Sequence, residues 1–170
     1  PLVIPTPIAN FEGMYNYWGG IPPDTTGDVG RTQYMQQVNV GIQVFDKATG
    51  ASIAGPISFN QIYQGFGGLC EANNNGDPIT IYDQLADRWF ISQFAFNSQQ
   101  GPTFQCIAIS TSNDAAGTYY RYAFQTATVG FDDYPQWSMW PDAYYLSSNR
   151  FNGPGGFAGA TIAVERERMG

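Results

Sequence analysis

The chain has 170 residues, enough for one ordinary domain that buries roughly 70% of its unfolded surface. A net charge of −7, with only 7 Lys and Arg residues, repels phosphate backbones and anionic lipid, which excludes nucleic acid and acidic membrane surfaces as partners. No apolar run reaches the roughly 18 residues of a membrane span. Scarce helix formers with 16% aromatic residues, 20 Gly and 11 Pro predict an all-β fold.

Residues 1–21 are predicted to form an N-terminal extended arm. The arm begins with PLVIPTP, which lacks an initiator Met and the apolar segment of a signal peptide, so we interpret it as a processed N-terminus. The chain contains no Asn-x-Ser/Thr sequon, which favours a bacterial source. Together with a surface rich in Asn, Gln, Ser, Thr and Tyr, these features predict a secreted or cell-surface protein.

Three units of strands separated by turns follow the arm, near residues 22–64, 76–128 and 134–170. The predicted strands are QYMQQVNV, GIQVFD and IAGPISF in the first unit; PITIYD, RWFISQFAF, TFQCIAISTS and YYRYAFQT in the second; AYYLSSNRF and GATIAVERER in the third. Alternation in RWFISQFAF and YYRYAFQ predicts strands that are covered on both faces. The terminal VERERM has period-2 charge alternation and predicts a solvated strand.

Each unit has an acid beside a proline near its start, namely Asp24, Asp77 and Asp142, which are 53 and 65 residues apart. Recurrence at this spacing favours a β-propeller, of which about three blades are visible. Propellers close with about four to eight blades. We therefore expect the ring to be completed by the remainder of a longer polypeptide or by another chain. A β-sandwich or barrel is the alternative fold.

Three stretches between residues 76 and 151 resemble a group of large, mostly uncharacterised secreted bacterial proteins: GDPITIYDQLADRWFISQF, CIAISTSNDAAGTYYRYAF and DYPQWSMWPDAYYLSSNRF. The group carries Gly-Asp-Pro-x-x-x-Tyr-Asp, Arg-Trp and Tyr-Pro…Trp-Pro-Asp-Ala-Tyr-Tyr in a propeller-like region. The resemblance extends from about Pro22 to Met169. It implies a propeller-like fold and secretion, and it implies no mechanism.

Cys70 and Cys106 are the only two cysteines. Neither belongs to a Cys-x-x-Cys pair, and the chain has no histidine, so zinc ligation is not predicted. We expect a disulfide, worth about 3.8 kcal/mol in the chain-entropy model, while two separate buried thiols are the alternative.

The three acids are the candidate catalytic residues if the protein is an enzyme. First strands of propeller blades meet at one mouth of the central channel, so Asp24, Asp77 and Asp142 would converge there. Carboxyl groups of different pKa supply the acid and the base of glycoside hydrolysis. The Asp-Pro of the second unit also resembles the base position of five-bladed propeller glycosidases. The alternative is structural, in which each Asp accepts backbone N–H bonds in a turn.

Calcium is the only cofactor that the sequence suggests. Asp24, Asp28 and Asp77 lie on loops rich in oxygen donors, which is the ligand type that Ca²⁺ prefers. None of these loops has the spacing of an EF-hand, and Asx turns explain the same residues.

Trp137, Trp140, Tyr144 and Glu71 are the candidate ligand-binding residues at the channel mouth. Aromatic rings can stack on the apolar face of a sugar, and the alternative is packing between blades. The predicted function is therefore an extracellular, non-catalytic binding, adhesion or scaffold module, with a polysaccharide or calcium as its ligand. The competing hypothesis is a carbohydrate-active hydrolase.

Overall fold

The computed structural model describes residues 4–151 and 156–169. The protein is all-β, as predicted, and its strands form three antiparallel sheets in which each strand pairs with the next along the chain. None of these sheets closes into a barrel within the described ranges. The chain completes one sheet before it begins the next.

Sheet 1 contains β1 (Thr26–Val29), β2 (Gln33–Val38), β3 (Gly41–Asp46) and β4 (Ser52–Ser58). Sheet 2 contains β5 (Gly76–Asp83), β6 (Arg88–Phe96), β7 (Thr103–Ser110) and β8 (Tyr119–Ala127). Sheet 3 contains β9 (Phe131–Met139), β10 (Ala143–Phe151) and β11 (Phe157–Glu165). A 3-10 helix (Phe59–Tyr63) and the short helix α1 (Gly68–Ala72) connect sheets 1 and 2, and a second 3-10 helix (Arg166–Arg168) follows β11.

The strands predicted for the first two units are confirmed, because turn chemistry marks their ends clearly, while β1 of sheet 1 was not predicted. Asp46 ends β3, and its carboxylate accepts hydrogen bonds from the backbone N–H groups of Ala48 and Thr49. Gly50 then takes the left-handed conformation that closes the turn, with a φ of 73°. Asp83 ends β5 in the same way, since its carboxylate accepts the backbone N–H groups of Leu85 and Ala86.

The third unit begins earlier than predicted. Its first strand is β9, so Asp142 lies in the turn after this strand and not at its start. The predicted solvated strand VERERM is also wrong, because β11 ends at Glu165 and the following residues form a 3-10 helix. Period-2 charge alternation did not identify this end, and Arg166, the first residue of the 3-10 helix, makes a long-range ion pair with Asp83.

Sheet 2 lies between the other two sheets, and β6 is buried on both faces, as its alternation predicted. Trp89 and Ile91 face the core shared with sheet 1, while Phe90 faces the core shared with sheet 3. In contrast, β8 is partly exposed along its length because it is the last strand of its sheet. The expectation that YYRYAFQ is covered on both faces is therefore wrong.

The N-terminal arm packs against the outer face of sheet 1. Residues 4–25 contain no helix or strand, in line with an extended arm. Phe11 and Met14 of the arm contact Val38 and Phe45, and the backbone N–H of Met14 donates to the side-chain oxygen of Gln36 at 2.7 Å. The arm thus covers apolar side chains that sheet 1 does not bury against sheet 2.

The predicted disulfide is present. Cys70 of α1 and Cys106 of β7 are bonded, with their Cα atoms 5.6 Å apart. The bond fixes the connection between sheets 1 and 2 to the middle of sheet 2. Within the described ranges, the protein has no helix with the length and apolar character that crossing a bilayer requires.

Candidate functional site

Three equivalent tripeptides meet at one pocket, which we call the strand-start pocket. The first tripeptide leads into β1, the second lies at the start of β5, and the third lies in the middle of β9. The pocket has a volume of about 240 Å³ and is lined by Asp24-Thr25-Thr26, Asp77-Pro78-Ile79 and Tyr134-Pro135-Gln136. The chain therefore brings the starts of β1 and β5 and the middle of β9 to a single open space.

The first residue of each tripeptide has an unusual backbone conformation. Asp24, Asp77 and Tyr134 have φ angles of 40°, 48° and 50°, in the left-handed region that non-glycine residues rarely adopt. The regular ladder is interrupted beside two of them, between Gly76 and Ile79 in β5 and opposite Ser147 and Asn149 in β10. Backbone strain of this kind concentrates at functional sites.

Asn39, in the turn between β2 and β3, connects the two acids of the pocket. Its side-chain Nδ2 donates to Oδ2 of Asp24 at 2.6 Å, and its Oδ1 accepts the backbone N–H of Asp77 at 2.9 Å. On the other side, Oδ2 of Asp77 accepts the backbone N–H of Tyr134 at 3.0 Å. One chain of hydrogen bonds thus joins all three sheets at the pocket.

The carboxyl group of Asp77 has a raised pKa. Burial of its carboxyl group, together with the neighbouring charges of Asp24 and Asp133, raises the pKa of Asp77 to about 6, although the hydrogen bond from Tyr134 opposes this rise. A carboxyl group of this pKa exists in both protonation states near neutral pH. It can donate a hydrogen bond or a proton as well as accept one.

The structure brings together two of the three predicted catalytic acids and separates the third. Asp142 lies beyond the opposite end of β9, where its carboxylate accepts a hydrogen bond from the hydroxyl of Tyr145. In the third sheet the residue equivalent to Asp77 is Tyr134, since both have positive φ and both precede a proline. The prediction selected aspartates beside a proline, and the Tyr-Pro pair entered only through the family resemblance, so Tyr134 was not predicted as a site residue.

Asp28 and Glu71, the other predicted polar site residues, accept hydrogen bonds from backbone N–H groups outside the pocket. Oδ2 of Asp28 accepts the backbone N–H of Tyr82 at 2.8 Å, which joins β1 to β5. Glu71 of α1 accepts the backbone N–H groups of Gly65 and Gly67, and these bonds lower the pKa of its carboxyl group. Glu71 therefore holds the loop before α1 and does not line the strand-start pocket.

The predicted calcium ligands do not assemble into a common site. Asp24 and Asp77 share the pocket, whereas Asp28 lies further along β1. Among residues 4–151 and 156–169, no group of three or more His, Cys, Asp or Glu side chains is placed to hold a metal ion.

The predicted aromatic platform is wrong for two of its three rings. Trp137 and Tyr144 are buried between sheets 2 and 3, with ring centroids 5.1 Å and 4.8 Å from that of Phe90. Trp140 is 67% exposed, but it follows β9 and lies at the end away from the pocket. The exposed aromatic side chain at the pocket is Tyr134, at 64% exposure.

A contrasting aspartate lies at the other end of β5. Asp83 is fully buried, and its carboxylate receives Nε of Arg166 at 2.6 Å and the hydroxyl of Tyr144 at 2.7 Å. Burial acts to raise the pKa of Asp83, but the hydrogen bonds from Arg166 and Tyr144 outweigh it and hold the pKa below its ordinary value. All its acceptor capacity is used within the protein, so Asp83 is a structural residue.

No protein-family model, curated protein or solved structure matches this chain.

Proposed function

We propose that this chain is an extracellular, propeller-like segment that binds a neutral polysaccharide at the strand-start pocket. The observation that carries the proposal is the convergence of Asp24, Asp77 and Tyr134, each the first residue of an equivalent tripeptide, on one open pocket. The role is binding, adhesion or scaffolding outside the cell. The disulfide supports the extracellular assignment, because such bonds persist in oxidising compartments.

The contacts between first strands favour a propeller arrangement. Asp28 of β1 bonds to the backbone of β5, and Asp77 of β5 bonds to the backbone of β9. In propellers the first strands of successive blades surround a central channel, and ligands bind at its mouth. We propose that the remainder of a longer polypeptide, or another chain, supplies further blades. The resemblance to large secreted bacterial propeller-like proteins agrees with this arrangement and remains a prediction.

The chemistry of the pocket suits sugar hydroxyl groups. Carboxylate oxygens of Asp24 and Asp77 accept hydrogen bonds, and the protonated form of Asp77, which is present around its pKa of about 6, can also donate one. The ring of Tyr134 offers an exposed apolar surface with a polar hydroxyl. The net charge of −7 disfavours an acidic polysaccharide.

Calorimetric titration with β-glucan, xylan, mannan and starch, with polygalacturonate as the anionic comparison, tests the proposal. We expect a neutral polymer to bind, and we expect Tyr134→Ala and Asp24→Asn each to weaken binding about tenfold, the effect of losing one strong contact. Trp140→Ala is the matched control, because it removes an equally exposed aromatic ring away from the pocket. Failure of all four neutral polymers to bind, or full affinity in Tyr134→Ala, would contradict the proposal.

The raised pKa of Asp77 favours a second candidate function, glycoside hydrolysis. In this reaction Asp77 protonates the leaving oxygen as the glycosidic C–O bond breaks. Asp24 takes a proton from the water whose oxygen bonds to the anomeric carbon, which requires the two carboxyl groups to move from their mutual hydrogen-bonding contact to at least about 5 Å apart. Release of reducing ends from the bound polymer, lowered about 100-fold or more in Asp77→Asn while affinity is retained, would establish an enzyme. Binding without any release of reducing ends would leave the non-catalytic role.

Calcium remains a prediction for this protein. If Asp24 and Asp77 bind Ca²⁺ together with backbone carbonyl groups, added Ca²⁺ raises the melting temperature and EDTA reverses the change. An unchanged melting temperature with millimolar Ca²⁺ would show that Asp24 and Asp77 do not bind calcium.

A further inference from the structure

Three exposed aromatic side chains form a continuous strip in the N-terminal arm. Tyr15, Tyr17 and Trp18 are 73%, 58% and 41% exposed. Their rings contact one another edge to face, with centroids 5.5 Å apart for Tyr15 and Tyr17 and 6.1 Å apart for Tyr17 and Trp18. Contiguous exposed aromatic surface is a feature of binding sites, and we call these three residues the aromatic strip.

The strip is held in place by the body of the protein. One face of Trp18 lies on the backbone of Gly41, where a Cβ atom would come within 1.9 Å of the ring, so any side chain at this position displaces Trp18. Nδ2 of Asn16 donates to the carbonyl of Gly20 at 2.8 Å and closes the turn that follows Trp18. A strip that is fixed before binding loses little conformational entropy when a ligand binds.

The segment that follows the strip packs on Asn39, which bonds to both acids of the strand-start pocket. Gly20, just after the strip, packs so closely on Asn39 that a Cβ atom at Gly20 would lie 2.8 Å from the Cβ of Asn39. The side chain of Asn39 in turn bonds to the carboxylate of Asp24 and to the backbone of Asp77. The segment that carries the aromatic strip and the two acids of the pocket therefore meet at the buried side chain of Asn39.

We propose that the aromatic strip is a second subsite for the polysaccharide, which lengthens the pocket into a groove that holds several sugar units. This inference rests on the proposed function. The apolar faces of sugar rings pack on Tyr15, Tyr17 and Trp18, while hydroxyl groups at the other end of the chain bond to the carboxylates of the pocket. The strip provides apolar contact area and the pocket orients the sugar hydroxyl groups. Affinity therefore rises with the length of the glycan until both subsites are filled.

The charges around the strip select a neutral ligand. The two acids behind Asn39 repel an anionic polymer, and the chain as a whole carries −7. An acidic lipid surface is repelled for the same reason, although exposed aromatic rings alone would suit one. A neutral glycan satisfies both the apolar rings and the acceptor oxygens of the carboxylates.

Titration with neutral oligosaccharides of two to eight sugar units, from the β-glucan, xylan, mannan and starch series, tests the inference. The test variant is Tyr15→Ala/Tyr17→Ala, which leaves Trp18 and its contact with Gly41 intact. We expect this variant to bind the eight-unit ligand at least tenfold more weakly than the wild type and the two-unit ligand equally well. Trp140→Ala is the control for loss of an exposed ring elsewhere.

The outcomes separate the inference from the proposed function. If the wild type binds and Tyr134→Ala loses affinity while Tyr15→Ala/Tyr17→Ala does not, the strip is no subsite and only the inference fails. Equal losses for short and long ligands also overturn the inference, because they indicate damage to the pocket. If the wild type binds none of the four series, both proposals fail. Loss of a protein partner in the double variant, with glycan affinity unchanged, would assign the strip to protein recognition and overturn the inference.

Discussion

The two aspartates of β5, Asp77 and Asp83, have the same side chain, lie on the same strand and face the same neighbouring sheet, yet they differ in chemistry. Asp83 is fully buried and pairs with Arg166 and Tyr144, which holds its pKa below the ordinary value. Asp77 borders an open pocket with two other acids nearby, and its pKa is about 6. Partners, and not burial alone, decide which of the two carboxyl groups remains available to a ligand.

The first prediction concerns the contribution of Asp83, at the end of β5, to the stability of the fold. Asp83→Asn leaves Arg166 without its anionic partner at a site where the guanidinium is mostly buried. We expect the free energy of unfolding at pH 7 to fall by about 3 kcal/mol, the usual result of breaking a buried ion pair from one side. Urea denaturation measures the change, with Asp77→Asn as the matched control on the same strand. A loss below about 1 kcal/mol would show that the pair does not anchor sheet 3.

A double-mutant cycle sharpens the same comparison. Arg166→Gln alone also leaves an unpaired buried charge, whereas Asp83→Asn/Arg166→Gln removes both charges together. We expect the double variant to be more stable than the sum of the single losses predicts, by about 2 kcal/mol. If the losses of unfolding free energy are additive, Asp83 stabilises the protein through the hydrogen bonds that it accepts from the turn and from Tyr144, and not through Arg166.

The two aspartates should also respond to pH in opposite directions. Because the folded-state pKa of Asp83 is below its ordinary value, its stabilising contribution is present above pH 3.8 and is lost as the pH falls further. Because the pKa of Asp77 is raised to about 6, the folded state holds this proton more tightly, and stability falls as the pH rises from about 4 to about 6.

Asp77→Asn should therefore remove the stability change between pH 4 and pH 6 and leave the acid transition of Asp83 in place. At pH 7 we expect this variant to be as stable as the wild type, or more stable by less than about 1 kcal/mol, because solvent screens a half-exposed carboxyl group. Melting temperatures at pH 4, 6 and 7 measure the difference. A marked loss of stability at pH 7 would assign Asp77 a structural role like that of Asp83.

Local sequence patterns predicted most strands and turns, because these depend on residues that are close together in the chain. The strands of the first two sheets follow from alternation and from turn residues such as Asp46 and Gly50. The disulfide follows from there being only two cysteines in a chain with a secreted type of composition. Asp24 and Asp77, two of the three acids expected to converge, line one pocket, because one lies just before the first strand of its unit and the other at its start.

Features that depend on packing between distant segments were not predictable in this way. The partner of Asp83 is 83 residues away, and no local pattern distinguishes Arg166 from a solvated arginine. Trp137 and Tyr144 are buried because β9 and β10 pack against sheet 2, and the Trp-Pro-Asp motif leads into the second strand of its sheet and not the first. The role of Tyr134 depends on its φ angle and on Asp77, neither of which its side-chain type suggests.

The most direct test is an NMR titration of the side-chain carboxyl carbons of Asp77 and Asp83 in the wild-type protein, from pH 2.5 to 8. The account predicts a midpoint near pH 6 for Asp77 and one below 3.8 for Asp83. A midpoint at or below 4 for Asp77 would contradict the account, because the two ends of β5 would then be electrostatically alike and the strand-start pocket would lose its distinguishing acid.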